Sequence, residues 1–147
     1  MHFKLFFTGP TCTFITIAIL TNKGEGITIA DSFALVGTTR NFTEAERECR
    51  GRGYDGLGVV SSPEEYNHVI LASQQLRTQW GLWVGLRYDL GLQKLQWDDG
   101  TDPSPNMPWV KGSAAPSEAV ACARLFVAGA MGMLECHRQR FYICGNR

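Results

Sequence analysis

Four cysteines set the tightest limit on how this chain can fold. Cys49, Cys122, Cys136 and Cys144 all follow an apolar amino-terminal segment, which itself contains Cys12. An even number of cysteines in a secreted chain is typical of a domain stabilised by two disulfides. Four cysteines allow three pairings, and their positions alone do not choose among them. The sequence has no Cys-x-x-Cys motif, so the main signal for zinc-ribbon and thioredoxin-like proteins is missing.

The interpretation as a secreted chain comes from its first residues. A positively charged start is followed by an apolar stretch from Leu5 to Leu20 and by a polar, glycine-containing exit. That order is typical of a secretory signal peptide, so we predict a signal over 1–26, which includes Cys12, and a mature domain over 27–147. A membrane anchor and a buried element of the domain are the alternatives. The apolar run is short for a membrane span, a glycine–proline pair interrupts it, and no later stretch approaches transmembrane length.

Charge and motif content narrow the classes of function. The chain has 14 basic and 14 acidic residues among 147, so it lacks the basic excess that would hold nucleic-acid phosphates. Its hydrophobic share of 44% indicates a folded domain with an ordinary core. Nucleophile-elbow, zinc-protease and phosphate-loop motifs do not occur, and the adjacent Asp98 and Asp99 suit a turn better than acid–base catalysis. We therefore predict a binding protein that is not an enzyme and has no cofactor, metal or nucleic-acid ligand.

Cap and turn signals predict two helices in the first half of the domain. The first spans Asn41–Cys49, where a Thr43–Glu46 capping box competes with Asn41 as the cap. The second spans about Pro63–Leu76, with Ser62 as its cap and the proline at its first position. Residues 37–40, just before the first helix, are predicted as a turn.

Short strands are predicted through the rest of the domain. Segments rich in strand-forming residues lie at Ser32–Val36, Gly56–Val60, Leu82–Leu86, Gln93–Trp97, Val120–Leu125, Met133–Cys136 and Arg140–Cys144. A proline-rich stretch at 98–119 separates the fourth from the fifth and is predicted as a long functional or cross-linked loop. Two early helices and short late strands indicate an α+β domain with antiparallel sheet.

These motifs, taken in order, resemble the C-type lectin-like domain. The resemblance covers about 32–147 and rests on Asn41–Ala45, Cys49, Trp83–Leu86, Leu95–Gly100, Trp109, Cys122, Cys136 and Cys144. It implies the C-type lectin-like fold, with two helices, short antiparallel sheets and a long loop region. It also implies the disulfides Cys49–Cys144 and Cys122–Cys136. The implied function is extracellular recognition, including carbohydrate binding and innate immune recognition.

The resemblance fails at the residues that hold calcium in sugar-binding members. Those members use Glu-Pro-Asn or Gln-Pro-Asp in the long loop and Trp-Asn-Asp on the following strand. The corresponding places here are Ser113–Ala115 and, counted back from Cys136, Met131–Met133. Calcium takes oxygen ligands, which a thioether does not supply. We therefore predict calcium-independent binding of a protein or a glycan, with a calcium-dependent lectin that uses a displaced site as the alternative.

Four residues are candidates for ligand contact. Met131 and Met133, if exposed beside Trp109, would form an adaptable apolar surface, and Glu118 offers a single carboxylate. The other reading of the two methionines is that they belong to the core.

Two surface features complete the predictions. Asp98, Asp99 and Asp102 could form a weak loop calcium site, but we favour a solvated acidic turn. Asn41 begins the only glycosylation sequon, and its place at a helix start predicts a surface position that capping could restrict.

Overall fold

The computed structural model describes residues 33–76 and 78–146, together with the backbone of three amino-terminal strands. These are β1 (His2–Phe3), β2 (Ile19–Leu20) and β3 (Gly26–Ala30). Most of the predicted signal peptide, including Cys12, lies outside the described residues, so the signal and the domain boundary remain predictions. None of the helices in the described ranges is long and apolar enough to span a lipid bilayer.

The rest of the described chain alternates short strands with two α-helices. The helices are α1 (Phe42–Gly51) and α2 (Pro63–Ser73), and a 3₁₀ turn at Gln74–Leu76 follows the second. The strands are β4 (Phe33–Arg40), β5 (Gly56–Leu57), β6 (Leu82–Asp89), β7 (Lys94–Trp97), β8 (Cys122–Leu125), β9 (Met131–Leu134) and β10 (Arg140–Gly145). The predicted α+β class is confirmed.

The strands form one sheet in the order β1-β2-β3-β4-β10-β6-β8-β9, with β5 beside β10 and β7 beside β6. The β10–β6 pair is parallel, with Tyr142 opposite Trp83, and the other pairs are antiparallel. The last strand, β10, therefore lies between β4 and β6, and β6 carries the Trp-Val-Gly-Leu motif. In this order β8 and β9 lie at the opposite side of the sheet from β1, β2 and β3.

The start of α1 differs from the prediction in two ways. Residues 37–40 are not a turn, because β4 continues to Arg40, which lies opposite Arg140 in β10. The chain then enters the helix directly, with Asn41 as the cap: its Oδ1 accepts from the Glu44 N–H at 2.9 Å. The Thr43–Glu46 capping box is therefore wrong, because the long strand brings the helix start two residues earlier.

The other boundaries move by a few residues. Ser62 caps α2 as predicted, accepting from the Glu65 N–H at 3.1 Å, but the α-helix ends at Ser73 before the 3₁₀ turn. The strand predicted at Met133–Cys136 lies two residues earlier, at β9. A tight turn after β8, closed by the Phe126 N–H donating to the Ala130 carbonyl at 2.8 Å, brings β9 back at Met131.

Buried apolar residues lie on both faces of the sheet. On one face the core includes Val69, Leu86, Trp97, Leu125, Met131 and Ile143, and on the other it includes Phe42, Ala45, Leu57, Trp83 and Tyr142. Trp83, Val84 and Leu86 have no exposed surface, so this motif has a structural role. The Trp83 indole donates to the Arg40 carbonyl at 3.0 Å, and its ring packs edge-on against Phe42 at 5.6 Å.

Both disulfides implied by the resemblance are present. Cys49–Cys144 joins α1 to β10 across a sequence separation of 95, and Cys122–Cys136 joins β8 to the segment after β9 across a separation of 14. The first links α1 to the last strand of the domain. The second holds the strand pair that carries the candidate site.

A polar network crosses the contact between α1, β4 and β10. Glu48 accepts from the Tyr142 hydroxyl and from the Arg40 Nε, the latter at 2.6 Å. Burial raises the pKa of Glu48, but the hydrogen bonds from Tyr142 and Arg40 outweigh it and hold that pKa below its usual value. Burial, together with the bond to Glu48, raises the pKa of Tyr142 to about 12. The network therefore stabilises an ionised carboxylate beside a neutral phenol.

Candidate functional site

The long loop, residues 98–121, is attached to the sheet through its own backbone. The Met131 N–H donates to the Pro108 carbonyl at 2.8 Å, and the Val110 N–H donates to the Met131 carbonyl at 2.7 Å. Trp109 consequently forms a parallel bridge with Met131. The indole of Trp109 is therefore placed beside β9, with 39% of the residue exposed.

A shallow depression of about 400 Å³ lies next to this attachment, and we call it the Trp109 depression. Its lining residues are Leu95, Trp109, Val110, Gly112, Ser113, Ala114, Ala115, Pro116 and Met133. The loop is held around it by the Ser113 hydroxyl, which accepts from the Met133 N–H at 3.0 Å. The lining is mainly apolar, so the depression offers contact area and few fixed polar groups.

The two methionines are buried, so the condition for an exposed apolar contact beside Trp109 is not met and the core reading holds. Met131 is 1% exposed and Met133 is 4% exposed. In the β8–β9 pair, Met133 lies opposite Ala123 and Met131 opposite Leu125, so both side chains pack into the core with those residues. Met133 contributes to the floor of the Trp109 depression, whereas Met131 is a core residue.

Glu118 lies apart from this depression. It is exposed in a turn in which the N–H of Ser117 and the N–H of Val120 each donate to the other's carbonyl, at 3.1 and 3.2 Å. Glu118 is not among the described lining residues. The four candidate contacts are therefore divided, with Trp109 and Met133 together and the other two elsewhere.

The residues at the family's calcium position do not fit the ion. A Cβ on Gly132 would meet Phe126 Cε2 at 2.8 Å and Val110 Cγ1 at 3.3 Å, so apolar atoms already fill the space that an oxygen-bearing side chain would need. Its neighbour Met133 brings a buried thioether, and Ser113–Ala115 brings one hydroxyl. Calcium requires six to eight oxygen ligands. Within the described ranges, no group of three or more His, Cys, Asp or Glu is placed to hold a metal.

The three carboxylates of the acidic turn, those of Asp98, Asp99 and Asp102, each contact a different residue of the protein. Asp98 accepts from the Arg87 Nε at 3.1 Å, Asp99 accepts from the Thr101 N–H at 2.9 Å, and Asp102 lies 2.9 Å from the Lys94 ammonium. The prediction of a solvated turn is wrong for Asp98, whose side chain is only 5% exposed. Burial of this carboxylate next to a guanidinium gives it a structural role.

The contacts of Phe126 and Val110 with Gly132 are not predicted by the motifs. Val110 directly follows Trp109 and lines the same depression. The approach of Phe126 to Gly132 depends on how the β8–β9 turn folds, and no local signal shows it. The Oδ1 of Asn41, the predicted glycosylation site, caps α1, and its occupancy remains a prediction.

The sequence and the fold each have known counterparts. The family model described as lectin C-type domain matches residues 38–146. No curated protein sequence is significantly similar to the chain.

Similar solved structures each align with 80% of this chain and with 94% of their own. They include the mouse scavenger receptor C-type lectin carbohydrate-recognition domain, at 19% identity and a TM-score of 0.63. Human lithostathine is similar at 16% identity and a TM-score of 0.67, and a Ca²⁺-dependent type II antifreeze protein in its Ca²⁺-free form at 19% and 0.66. At these identities the likeness establishes the fold and leaves the ligand open.

Proposed function

Because the chain belongs to the lectin C-type domain family, whose members are generally non-enzymatic binding modules, we propose that it is an extracellular recognition module that binds its ligand without calcium. The ligand is a protein or a glycan, and the contact is made at the Trp109 depression. Innate immune recognition is a role that such a module can serve.

The observation that carries the calcium-independent part is the packing around Gly132. The family's calcium ligand at this position is an asparagine, and here Phe126 and Val110 occupy the space of such a side chain. A calcium ion would have to displace a phenyl ring and then find its oxygens elsewhere. The alternative, a displaced calcium site at the acidic turn, has less support because Asp98 and Asp102 are paired with Arg87 and Lys94.

The ligand position is supported by the exposed indole of Trp109. Tryptophan is enriched among the residues that dominate binding energy, because it brings a large rigid surface with little conformational freedom to lose. The Trp109 depression surrounds it with small and apolar residues. A protein side chain or the apolar face of a sugar ring can both use such a surface.

The extracellular location is supported by the two disulfides, which form and persist in oxidising compartments. The amino-terminal sequence adds the predicted signal over 1–26, and Asn41 adds a glycosylation sequon. Amino-terminal sequencing of protein collected from the medium tests this part. A first residue near Ile27 supports secretion, whereas a membrane fraction that retains Met1–Leu20 supports an anchor.

A binding screen tests the function itself. The secreted chain is passed over immobilised glycans and extracellular proteins, once in calcium and once in chelator. Trp109→Ala is compared with Leu71→Ala, which removes an exposed apolar side chain from α2. We expect hits that are indifferent to chelator and about tenfold weaker for Trp109→Ala, with the control unchanged. Hits that vanish in chelator would favour the calcium-dependent lectin, and equal binding by both variants would remove the Trp109 depression as the site.

A further inference from the structure

A second surface lies where three strands meet at one end of the sheet. Leu82 in β6 is opposite Phe141 in β10, and Trp83 is opposite Arg124 in β8. This register brings together Trp80, Arg124, Phe126 and Arg140, which we call the arginine patch. None of these residues lines the Trp109 depression.

Trp80 is the common contact of the two arginines. The Arg124 Nη1 donates to the Trp80 carbonyl at 3.0 Å, and the Arg140 guanidinium carbon lies 5.6 Å from the centre of the Trp80 ring. The guanidinium of Arg124 also lies 4.5 Å from the Phe126 ring centre. Aromatic contacts of this kind hold a guanidinium in place and leave its N–H groups available in the plane of the fork. The Trp80 ring remains open to solvent, with 58% of the residue exposed.

Neither arginine is neutralised by a carboxylate. The salt bridges found in the described ranges pair other residues, and neither Arg124 nor Arg140 belongs to one of them. Their side-chain hydrogen bonds go to backbone carbonyls, Arg124 to Trp80 and Arg140 to Gln139. The Nε of each is buried with no hydrogen-bond partner in the described part of the chain. A guanidinium has five N–H donors, so most of this capacity is not used by those protein partners.

The surroundings of Arg124 and Arg140 disfavour the charged form of both side chains. Burial lowers the pKa of Arg124, and the charge of Arg140 lowers it further. Burial also lowers the pKa of Arg140, with a further contribution from Arg138. Glu135 opposes these shifts but does not reverse them, and it pairs with Arg138.

Arg40, a neighbouring arginine, is paired with a carboxylate, as partly buried arginines usually are. Arg40 lies opposite Arg140 in the β4–β10 pair, and its guanidinium is matched by Glu48 at 2.6 Å. The same end of the sheet therefore holds one neutralised cation and two that lack a carboxylate partner. Partly buried cations without a counter-charge reduce stability, and an anionic ligand would supply that counter-charge.

We propose that the arginine patch binds the oxyanion groups, sulfate esters or carboxylates, of an acidic polysaccharide. The two guanidinium forks hold an oxyanion through paired N–H donors, which is the geometry that arginine provides and lysine does not. A sugar ring attached to that oxyanion lies against the exposed face of Trp80. One repeating unit of an acidic polysaccharide combines charge with the apolar C–H face of a sugar ring, as the patch combines two arginines with one indole. This inference goes beyond the proposed ligand contact at the Trp109 depression.

Sulfated dextran tests the inference, with neutral dextran of equal length, a polyglutamate peptide and duplex DNA as the other probes. Binding to the secreted chain is measured in chelator at about 150 mM salt. Arg124→Gln and Arg140→Gln are compared with Arg47→Gln, which makes the same charge change on the exposed face of α1. We expect sulfated dextran to bind best, and each patch variant to bind it about tenfold more weakly. The control stays within about twofold, and Arg140→Lys lies between Arg140→Gln and the unchanged chain.

Each outcome decides the inference. An equal loss for Arg47→Gln would mean diffuse charge attraction, and absence of binding would mean that the patch is not an anion site. A preference for polyglutamate or DNA would overturn the assignment to a polysaccharide. Melting curves show whether the variants are folded, and Trp80→Leu, which keeps both charges, should still weaken binding. Trp109→Ala should bind sulfated dextran normally, so this test can fail or succeed independently of the proposed ligand contact.

Discussion

Trp83 and Trp109 place the same side chain in two regions that are held together in different ways. Trp83 is fully buried in β6, where its N–H bonds to a carbonyl and its ring meets Phe42. Trp109 is 39% exposed in the long loop, which is positioned by backbone bonds to Met131. The framework, meaning α1, β4, β6 and β10, is thus specified by side-chain packing and a disulfide. The long loop is fixed by backbone hydrogen bonds and by the Ser113 hydroxyl, which leaves the Trp109 indole available to a ligand.

The largest effect should come from the covalent link of the framework. Replacing Cys49 and Cys144 together by Ala should reduce the free energy of unfolding by about 4.7 kcal/mol, against about 3 kcal/mol for the pair Cys122 and Cys136. The difference arises because the first disulfide closes a separation of 95 residues and the second one of 14. Denaturant unfolding of the two double variants measures both values. A larger loss for the shorter link would show that the β8–β9 region, and not the framework, limits stability.

The two tryptophans provide the next test. Trp83→Ala should lower the free energy of unfolding by about 3 to 5 kcal/mol, because it leaves a large cavity and an unpaired Arg40 carbonyl. Trp109→Ala should cost less than about 1 kcal/mol, because its ring is partly in solvent already. Urea unfolding of both variants gives the comparison. Equal losses would mean that the long loop is part of the core.

The framework was also the part that the sequence predicts best. The Trp83–Leu86 motif indicates a buried strand by residue type alone, and the family resemblance supplies the disulfide pairing. Asn41 shows a limit of local signals, because the choice between two helix caps depends on how far β4 extends along β10. Cap rules describe the helix start but carry no information about that neighbouring strand.

The candidate site was harder to predict, for a physical reason. Whether Met131 and Met133 face the core or the solvent depends on the register between β8 and β9, which the turn after β8 sets. A shift of one residue would reverse both side chains. The contact between Phe126 and Gly132 depends on the same turn, and the meeting of Arg124 with Arg140 depends on how β8 and β10 each pair with β6.

Acid should affect the framework before the long loop. Glu48 has a pKa below its usual value of 4.5, so its ionised form stabilises the folded chain above that pH and the contribution is lost as pH falls through the lowered pKa. Glu48→Gln should therefore flatten the decline of stability in acid, whereas Glu118→Gln, in the exposed loop, should not. Urea midpoints measured across the acid range show this. Parallel curves for both variants would mean that the network of Glu48, Arg40 and Tyr142 does not contribute.

The smallest expected effect is that of calcium, and it bears on the long loop and the β8–β9 pair beside it. An ion that binds only the folded state at a hundred times its dissociation constant adds about 2.7 kcal/mol, which would raise the melting temperature of a domain this size by several degrees. The space beside Gly132 is filled by Phe126 and Val110, so melting curves in millimolar calcium and in chelator should agree within about one degree.

A clear rise of the melting temperature in calcium would require a site formed by other residues, and two variants locate that site. Loss of the rise in Asp102→Asn would place the ion at the acidic turn, and loss in Glu118→Gln would place it at the turn between Ser117 and Val120. Either result would make the module a calcium-dependent one, and the apolar packing at Gly132 would then explain only why its site has moved.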